Sequence, residues 1–296
     1  MTRISTPPFA AYPSPSSAGH KVSSTDFLPK GFDPARIVPR GPGRFAWVDD
    51  NGVAHPLRTG DELPNSDGVP VETTWHGYAM RKMQENIMYW WRDRSDFFVS
   101  CDNFIHFSPN EVFNEHFRGP DVYVVTNVAW EPLRKSWVMW EEGGRLPDLI
   151  IEMVSESSVR NDIIVKKELY QSIFKTQEYY CIFPGGNRIE AWRLNRQKKY
   201  QPIKPVDGRY PSEILGASIG WWTGDVWKSD QPAIMTLPRL YDPAGRLVPY
   251  PVEAERQRAD AQHQRADAEH QRADAAESEL ARVLAELERL KRAKSD

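Results

Sequence analysis

The sequence has almost no cysteine and no long apolar run. Cys101 and Cys181 are the only two cysteines among 296 residues. Neither has a Cys or His neighbour at metal-ligand spacing, so the pattern excludes a disulfide framework and a zinc finger. No stretch approaches the roughly 18 consecutive apolar residues that a membrane span needs. We therefore expect a soluble, cytoplasmic protein with no membrane partner.

An excess of basic charge is also missing. The formal net charge is -3 and the pI is near 6.2. These values disfavour a wholly basic nucleic-acid binder, so any such contact has to use a local patch. In contrast, 40% of the residues are hydrophobic and 11 are tryptophan. This composition is sufficient for a well-packed globular core.

Composition divides the chain into three parts. Residues 1–40 are rich in Pro, Ser and Gly. Such a segment buries too little surface to offset its ordering entropy, which predicts a disordered leader. Residues 41–250 carry most of the apolar and aromatic residues and are expected to form one domain. Residues 251–296 contain no Phe, Trp or Tyr and repeat QRADAQH, QRADAEH and QRADAAE, a sevenfold period typical of a coiled-coil helix.

One heptad register fits the whole tail. Its a positions are Ala259, Ala266, Ala273, Leu280 and Leu287, and its d positions are Gln262, Glu269, Ala276, Val283 and Leu290. Only the final third forms a strong apolar seam, because polar residues at d weaken association. We expect residues 251–296 to form a homo-oligomer or to bind a partner helix. The alternative is a solitary, frayed helix.

Periodicity within residues 41–250 predicts a mixed α/β fold. Apolar residues recur every three or four positions between Thr74 and Arg94, as in a helix with one buried face. Residues 146–155 are apolar on both strand faces, as in a central strand that is covered on both sides. The further predicted elements are strands at 96–100, 103–107 and 121–126, a helix at about 161–175, and a hairpin of strands 178–183 and 188–194. We therefore expect a mixed β-sheet flanked by helices.

Charged residues interrupt this apolar pattern at three positions. Glu152 lies inside the predicted central strand, Asp121 opens another strand, and Lys166 lies on the following helix. A carboxylate is costly to bury unless it is paired or binds a cation. A Mg²⁺ ion shared by Asp121 and Glu152 would stabilise both, since this ion binds few protein ligands and keeps several waters.

Four sequence blocks extend this group of residues. They are Gly119-Pro120-Asp121-Val122, Pro147–Ser155, Asp162 and Lys166 followed by Leu169-Tyr170, and Glu178-Tyr179-Tyr180. Together they resemble the putative restriction endonuclease family, a branch of the PD-(D/E)xK nuclease superfamily, over about residues 72–200. In that superfamily the lysine commonly follows the acid by two residues on one strand, where this chain has Val154. The branch that this sequence resembles takes its lysine from the next helix, which matches Lys166.

The resemblance implies a restriction-endonuclease-like fold that hydrolyses DNA with Mg²⁺ or Mn²⁺ and with water as the nucleophile. It implies that Asp121 and Glu152 are metal ligands and that Lys166 is the catalytic lysine. The supporting residues that it implies are Glu72, Asp162 and Tyr170.

Several other interpretations stay open. The alternative role of Glu152 is a structural ion pair with Lys166 or an arginine, and Asp121 is also suited to capping a turn. Asp148 shares a strand face with Glu152 and is an alternative ligand, although a role at the loop edge is favoured. His76 is expected to be a surface or packing residue. For the whole protein, the alternatives are a catalytically inactive scaffold that oligomerises through its tail and a nuclease for RNA or branched DNA.

Basic residues concentrate on the predicted hairpin and just after it. The candidates for contacts with a DNA backbone are Arg188, Arg193, Lys198 and Lys199. Phosphate contacts supply much of the non-specific affinity of DNA-binding proteins. A solvated hairpin face is the favoured alternative.

Overall fold

The computed structural model describes residues 28, 31–63, 73–109, 119–155, 158–226 and 233–293. In chain order its elements are β1 Ile37–Gly41, β2 Arg44–Val48, β3 Ala54–Pro56, α1 Thr74–Trp90, β4 Phe97–Cys101, β5 Ile105–His106, β6 Val122–Thr126, β7 Trp137–Val138, β8 Leu149–Met153, α2, β9 Glu178–Ile182, β10 Ile189–Leu194, β11 Tyr200–Pro202, β12 Tyr210–Ser212, β13 Ala217–Asp225, β14 Ile234–Tyr241 and α3 Pro251–Ala293. Here α2 denotes three consecutive helical segments, Asn161–Lys166, Lys167–Leu169 and Tyr170–Phe174.

The central sheet has six strands in the order β11-β10-β9-β8-β6-β4. Only β8 and β9 pair in parallel, and the other neighbours are antiparallel. All five residues of β8 are buried, because the sheet is covered on both faces. The predicted mixed α/β fold is therefore confirmed.

The two helices cover opposite faces of this sheet. The apolar stripe of α1, which includes Met83 and Ile87, packs with Ile151 of β8. On the other face, Leu169 and Tyr170 of α2 pack with Ile150. This alternation follows from the period of two in a strand, and it directs Glu152, two residues after Ile150, towards α2.

A second sheet, β12-β13-β14, packs against α1. The side chain of Asn86 on α1 accepts from the N–H of Leu240 and donates to the carbonyl of Val248. The indole of Trp75 donates to the carbonyl of Thr236. The sequence pattern predicted no element in this region. Two smaller sheets, β1-β2-β3 and the parallel pair β5 and β7, complete the described strands.

The structure describes a small part of the N-terminal segment and nearly all of the C-terminal segment. Regular structure already begins with a short 3-10 turn, Pro34–Arg36, and β1, which lie inside the segment expected to be a disordered leader. The remainder of that leader, apart from residues 28 and 31–33, lies outside the described residues. At the other end, α3 is one continuous helix of 43 residues. Across the described ranges, no helix is both long enough and apolar enough to span a bilayer.

Candidate active site

The two predicted metal-binding carboxyl groups meet at one edge of the central sheet. Because Val122 of β6 pairs with Ile151 of β8, Asp121 lies directly beside Glu152. The N–H of Met153 donates to Oδ2 of Asp121 at 2.6 Å. The N–H of Asp121 donates weakly to Oε2 of Glu152, over 3.4 Å. The pairing of the two strands therefore fixes the two acids next to each other.

Lys166 lies between two buried carboxyl groups. Its Nζ is 3.0 Å from Oε2 of Glu152 and 2.8 Å from Oδ1 of Asp162. The side chains of Glu152 and Asp162 are only 1% and 3% exposed, and that of Lys166 is 18% exposed, so solvent screens these ion pairs little. The hydroxyl of Ser158 donates to the other oxygen of Asp162 at 2.6 Å. The lysine belongs to a π-helical segment, Asn161–Lys166, a conformation that is frequent at functional sites.

Tyr170 and His76 orient the two sheet carboxyl groups. The hydroxyl of Tyr170 donates to Oε1 of Glu152 at 2.9 Å. The Nε2 atom of His76 lies 2.8 Å from Oδ1 of Asp121, a hydrogen bond in which the imidazole donates. His76 belongs to the first turn of α1 and is 45 positions away from Asp121. A contact between residues so far apart leaves no local pattern in the sequence. The sequence therefore predicted only a surface or packing role for His76.

The charges at this site shift the pKa values of its members. Burial raises the pKa of the Glu152 carboxyl group above its ordinary value, and the charge of Lys166 opposes that rise. Burial alone would lower the pKa of Lys166, but the neighbouring carboxylates of Glu152 and Asp162 raise it well above its usual range. The lysine is therefore a permanent ammonium group at neutral pH.

The donor set of this site suits a hard divalent cation. Asp121, Glu152 and Asp162 supply more acidic groups than the single ammonium of Lys166 can neutralise. Mg²⁺ typically uses one or two protein carboxylates and completes its shell with water and phosphate oxygens. Within the described ranges, no group of three or more His, Cys, Asp or Glu side chains is arranged to hold a metal. Asp121 and Glu152, whose strands place them side by side, are the residues that could hold such a cation.

The remaining predicted or alternative site residues are Glu72, Asp148 and Val154. Glu72 lies outside the described residues. Asp148 precedes β8 at the opposite end from Glu152, where it accepts hydrogen bonds from the N–H and hydroxyl of Thr126 and from the side chain of Gln177. Val154 is buried among apolar side chains. Asp148 and Val154 thus have structural contacts of their own.

The four basic candidates separate into two groups. Arg188 directly precedes β10 at the sheet edge that carries Glu152, since Glu152 pairs with Cys181 and Cys181 pairs with Glu190. Its guanidinium contacts Glu190 and lies over the ring of Phe183.

Arg193, Lys198 and Lys199 lie at the other end of β10. Arg193 forms ion pairs with the buried Glu178 and with Glu213. Lys198 and Lys199 are exposed in the turn before β11. The structure therefore brings Arg188, but not these three residues, to the edge with the acidic pair.

Fold and site together define a mixed α/β protein with a buried acid and lysine group at a sheet edge. Residues 62–224 match the Uma2 family, which is described as putative restriction endonuclease. The match covers more than half of the chain, and the protein belongs to this family. The family expected from the four sequence blocks is confirmed.

The chain is also similar to a solved structure. It is described as a putative nuclease belonging to DUF820 from Anabaena variabilis ATCC 29413. The two chains share 15% identity at a TM-score of 0.37, over 53% of this chain and 90% of the other. At this TM-score the likeness supports no argument about function. No curated protein matches the sequence.

Proposed function

We propose that this protein is a metal-dependent endonuclease that hydrolyses DNA phosphodiester bonds with Mg²⁺ or Mn²⁺. The observation that carries the proposal is the buried contact between Lys166 and Glu152 beside Asp121. Membership of a family described as putative restriction endonuclease supports the same reaction class.

In this proposal Asp121 and Glu152 hold the cation and Lys166 faces the scissile phosphate. A divalent ion bound to such a pair supplies a Lewis acid for the phosphate and lowers the pKa of an attacking water. Lys166 contributes a fixed positive charge where negative charge develops in the transition state. Because Asp162 also pairs with Lys166, the ammonium would keep one partner if Glu152 bound a cation.

His76 and Tyr170 are positioning residues in this proposal. Each donates a hydrogen bond to one of the two carboxyl groups, which restricts rotation of the acid that it contacts. Partners of this kind around metal ligands commonly contribute about 10-fold to 100-fold in metal affinity or activity.

For DNA binding we propose contacts on both sides of the hairpin. Arg188 is the candidate beside the catalytic edge, and Lys198 and Lys199 are the candidates at the far end of β10. Arg193 is engaged with Glu178 and Glu213, so we propose for it a supporting role in that region. Phosphate contacts of this kind predict binding that weakens as salt concentration rises.

A plasmid-cleavage assay on the full chain tests the proposal. Asp121→Asn, Glu152→Gln and Lys166→Met should each lower the cleavage rate by about 100-fold or more. Two matched controls change a neighbouring group of the same type. Asp148→Asn alters an acid at the other end of β8, and Lys167→Met alters the adjacent lysine, whose ammonium lies over Trp192. Equal activity in all variants would contradict the assignment of Asp121, Glu152 and Lys166 to the active site.

One observation favours a second candidate, a catalytically inactive scaffold. The carboxyl groups of Asp121 and Glu152 already form hydrogen bonds or an ion pair with protein groups. Both carboxyl groups therefore have partners without a cation. Titration calorimetry with Mg²⁺ and Mn²⁺ separates the two candidates. Binding that Asp121→Asn abolishes supports the nuclease, whereas no binding together with no cleavage of DNA, branched DNA or RNA supports the scaffold.

A further inference from the structure

Most of the C-terminal helix α3 packs against none of the other residues that the structure describes. The helix is anchored at its beginning, where Glu253 pairs with Arg239 and Ala254 is buried. From residue 255 to residue 285 every side chain is exposed. Its 43 residues correspond to a length of about 65 Å at about 1.5 Å per residue. An isolated helix gains little stability in water, so long helices usually depend on packing of an apolar face.

The far part of α3 carries such an apolar face. Leu280, Val283, Leu284 and Leu287 have exposed fractions between 46% and 59%. Their spacing of three and four residues places them on one side of the helix. The preceding turns continue the same side with small residues, including Ala273 and Ala276. The result is a seam that is narrow near the domain and strongly apolar towards the end of the helix.

We infer that this seam binds the same seam of a second copy of the chain, in a parallel, in-register, two-stranded coiled coil. In this alignment each layer pairs a residue with its own counterpart, so Leu280 meets Leu280 and Val283 meets Val283. All apolar layers then coincide over the full length. An antiparallel pair would either place the leucines against the polar first third of the partner helix or overlap over the last turns alone.

Charges on the flanks of the seam fit the same alignment. With Leu280 at a, Arg272 falls at g and Glu277 falls at e of the next heptad. In a parallel dimer the g residue of one helix faces the following e residue of the other. Arg272 therefore faces Glu277 of the second copy, and the symmetry of the dimer repeats this attractive pair. Gln262 and Glu269 at d loosen the part nearest the domain.

Sedimentation equilibrium of the full chain tests the dimer. Wild type should be dimeric at micromolar concentration, and the double variant Leu280→Asp and Leu287→Asp should raise the dissociation constant by about 100-fold or more. The matched control, Ser278→Asp and Ala285→Asp, adds the same charge on the opposite helix face and should remain dimeric. A monomeric wild type overturns the inference, and so does equal dissociation in both double variants.

Cysteine cross-linking tests the direction of the two helices. Ala259→Cys and Ala276→Cys, made separately in a Cys101→Ser background, should each give disulfide-linked dimers under mild oxidation. The background protein alone should give none. Cross-linking at one position and not the other, or an assembly larger than two chains, overturns the parallel two-stranded form. Neither experiment uses cleavage, so the result is independent of the proposed nuclease function.

Discussion

At the scale of single residues, Lys166 is the group on which the candidate site depends. Its ammonium forms ion pairs with the carboxyl groups of Glu152 and Asp162, which are almost completely buried. Removing one partner of a buried ion pair leaves an uncompensated charge. We therefore expect Lys166→Met to lower the free energy of unfolding by about 3 kcal/mol, measured by urea denaturation.

The same variant also reports on the cation. If Asp121 and Glu152 can bind Mg²⁺, millimolar Mg²⁺ should restore part of the stability that Lys166→Met loses, because a ligand that binds only the folded state stabilises it. The control variant Lys167→Met removes the adjacent lysine, which lies outside this site, and its stability should not respond to Mg²⁺. A Lys166→Met protein as stable as wild type would show that the buried carboxyl groups do not need the lysine.

The sequence predicted the acids, the lysine and two of their described partners, Asp162 and Tyr170, but it did not predict the contact of His76 with Asp121. Glu152 and Asp121 could be predicted because a charged residue inside an apolar strand needs a partner. Lys166 could be predicted as the lysine of the site, although position 154 is a valine, because the resemblance placed the lysine on the following helix. His76 could not be linked to Asp121, since that contact depends on how α1 docks on the sheet, and Arg193 could not be linked to Glu178, since it depends on the register of β9 and β10.

At the scale of elements, the sequence predicted the centre of the fold better than its periphery. The sequence predicted α1, β8 and α2, and their observed bounds lie close to the predicted ones. The sheet β12-β13-β14 was not predicted at all. Its strands are held by contacts with α1, such as the hydrogen bonds of Asn86 and Trp75, and contacts between distant segments leave no periodic signal in the sequence.

One ion pair fixes the start of α3 to the domain. Arg239 is fully buried, and its guanidinium pairs with Glu253 and lies over the ring of Tyr250. We expect Glu253→Gln to lower the free energy of unfolding by about 3 kcal/mol, because Arg239 would lose its only charged partner among the described residues. The exposed pair of Arg258 and Glu255 offers a matched control. Glu255→Gln should change stability by less than about 0.5 kcal/mol, and equal effects of the two variants would refute the anchoring role.

At the scale of the whole molecule, the described side chains of α3 are partly or fully buried against other described residues only in the first turn of the helix, at Glu253 and Ala254. This difference between the first turn and the rest of α3 predicts that two truncations affect the melting temperature differently. Deleting residues 259–296 removes a part of the helix that is exposed wherever the structure describes its side chains, and it should change the melting temperature of the protein by less than about 2 °C. Deleting residues 251–296 also removes Glu253 and Ala254, leaves Arg239 unpaired and should lower the melting temperature by several degrees or more.

Scanning calorimetry measures both effects, and sedimentation of the shorter deletion should show a monomer. If both truncated proteins melt at the wild-type temperature, the first turn of α3 contributes nothing to the domain, whereas a large loss from the shorter deletion would mean that the exposed arm packs on the domain after all.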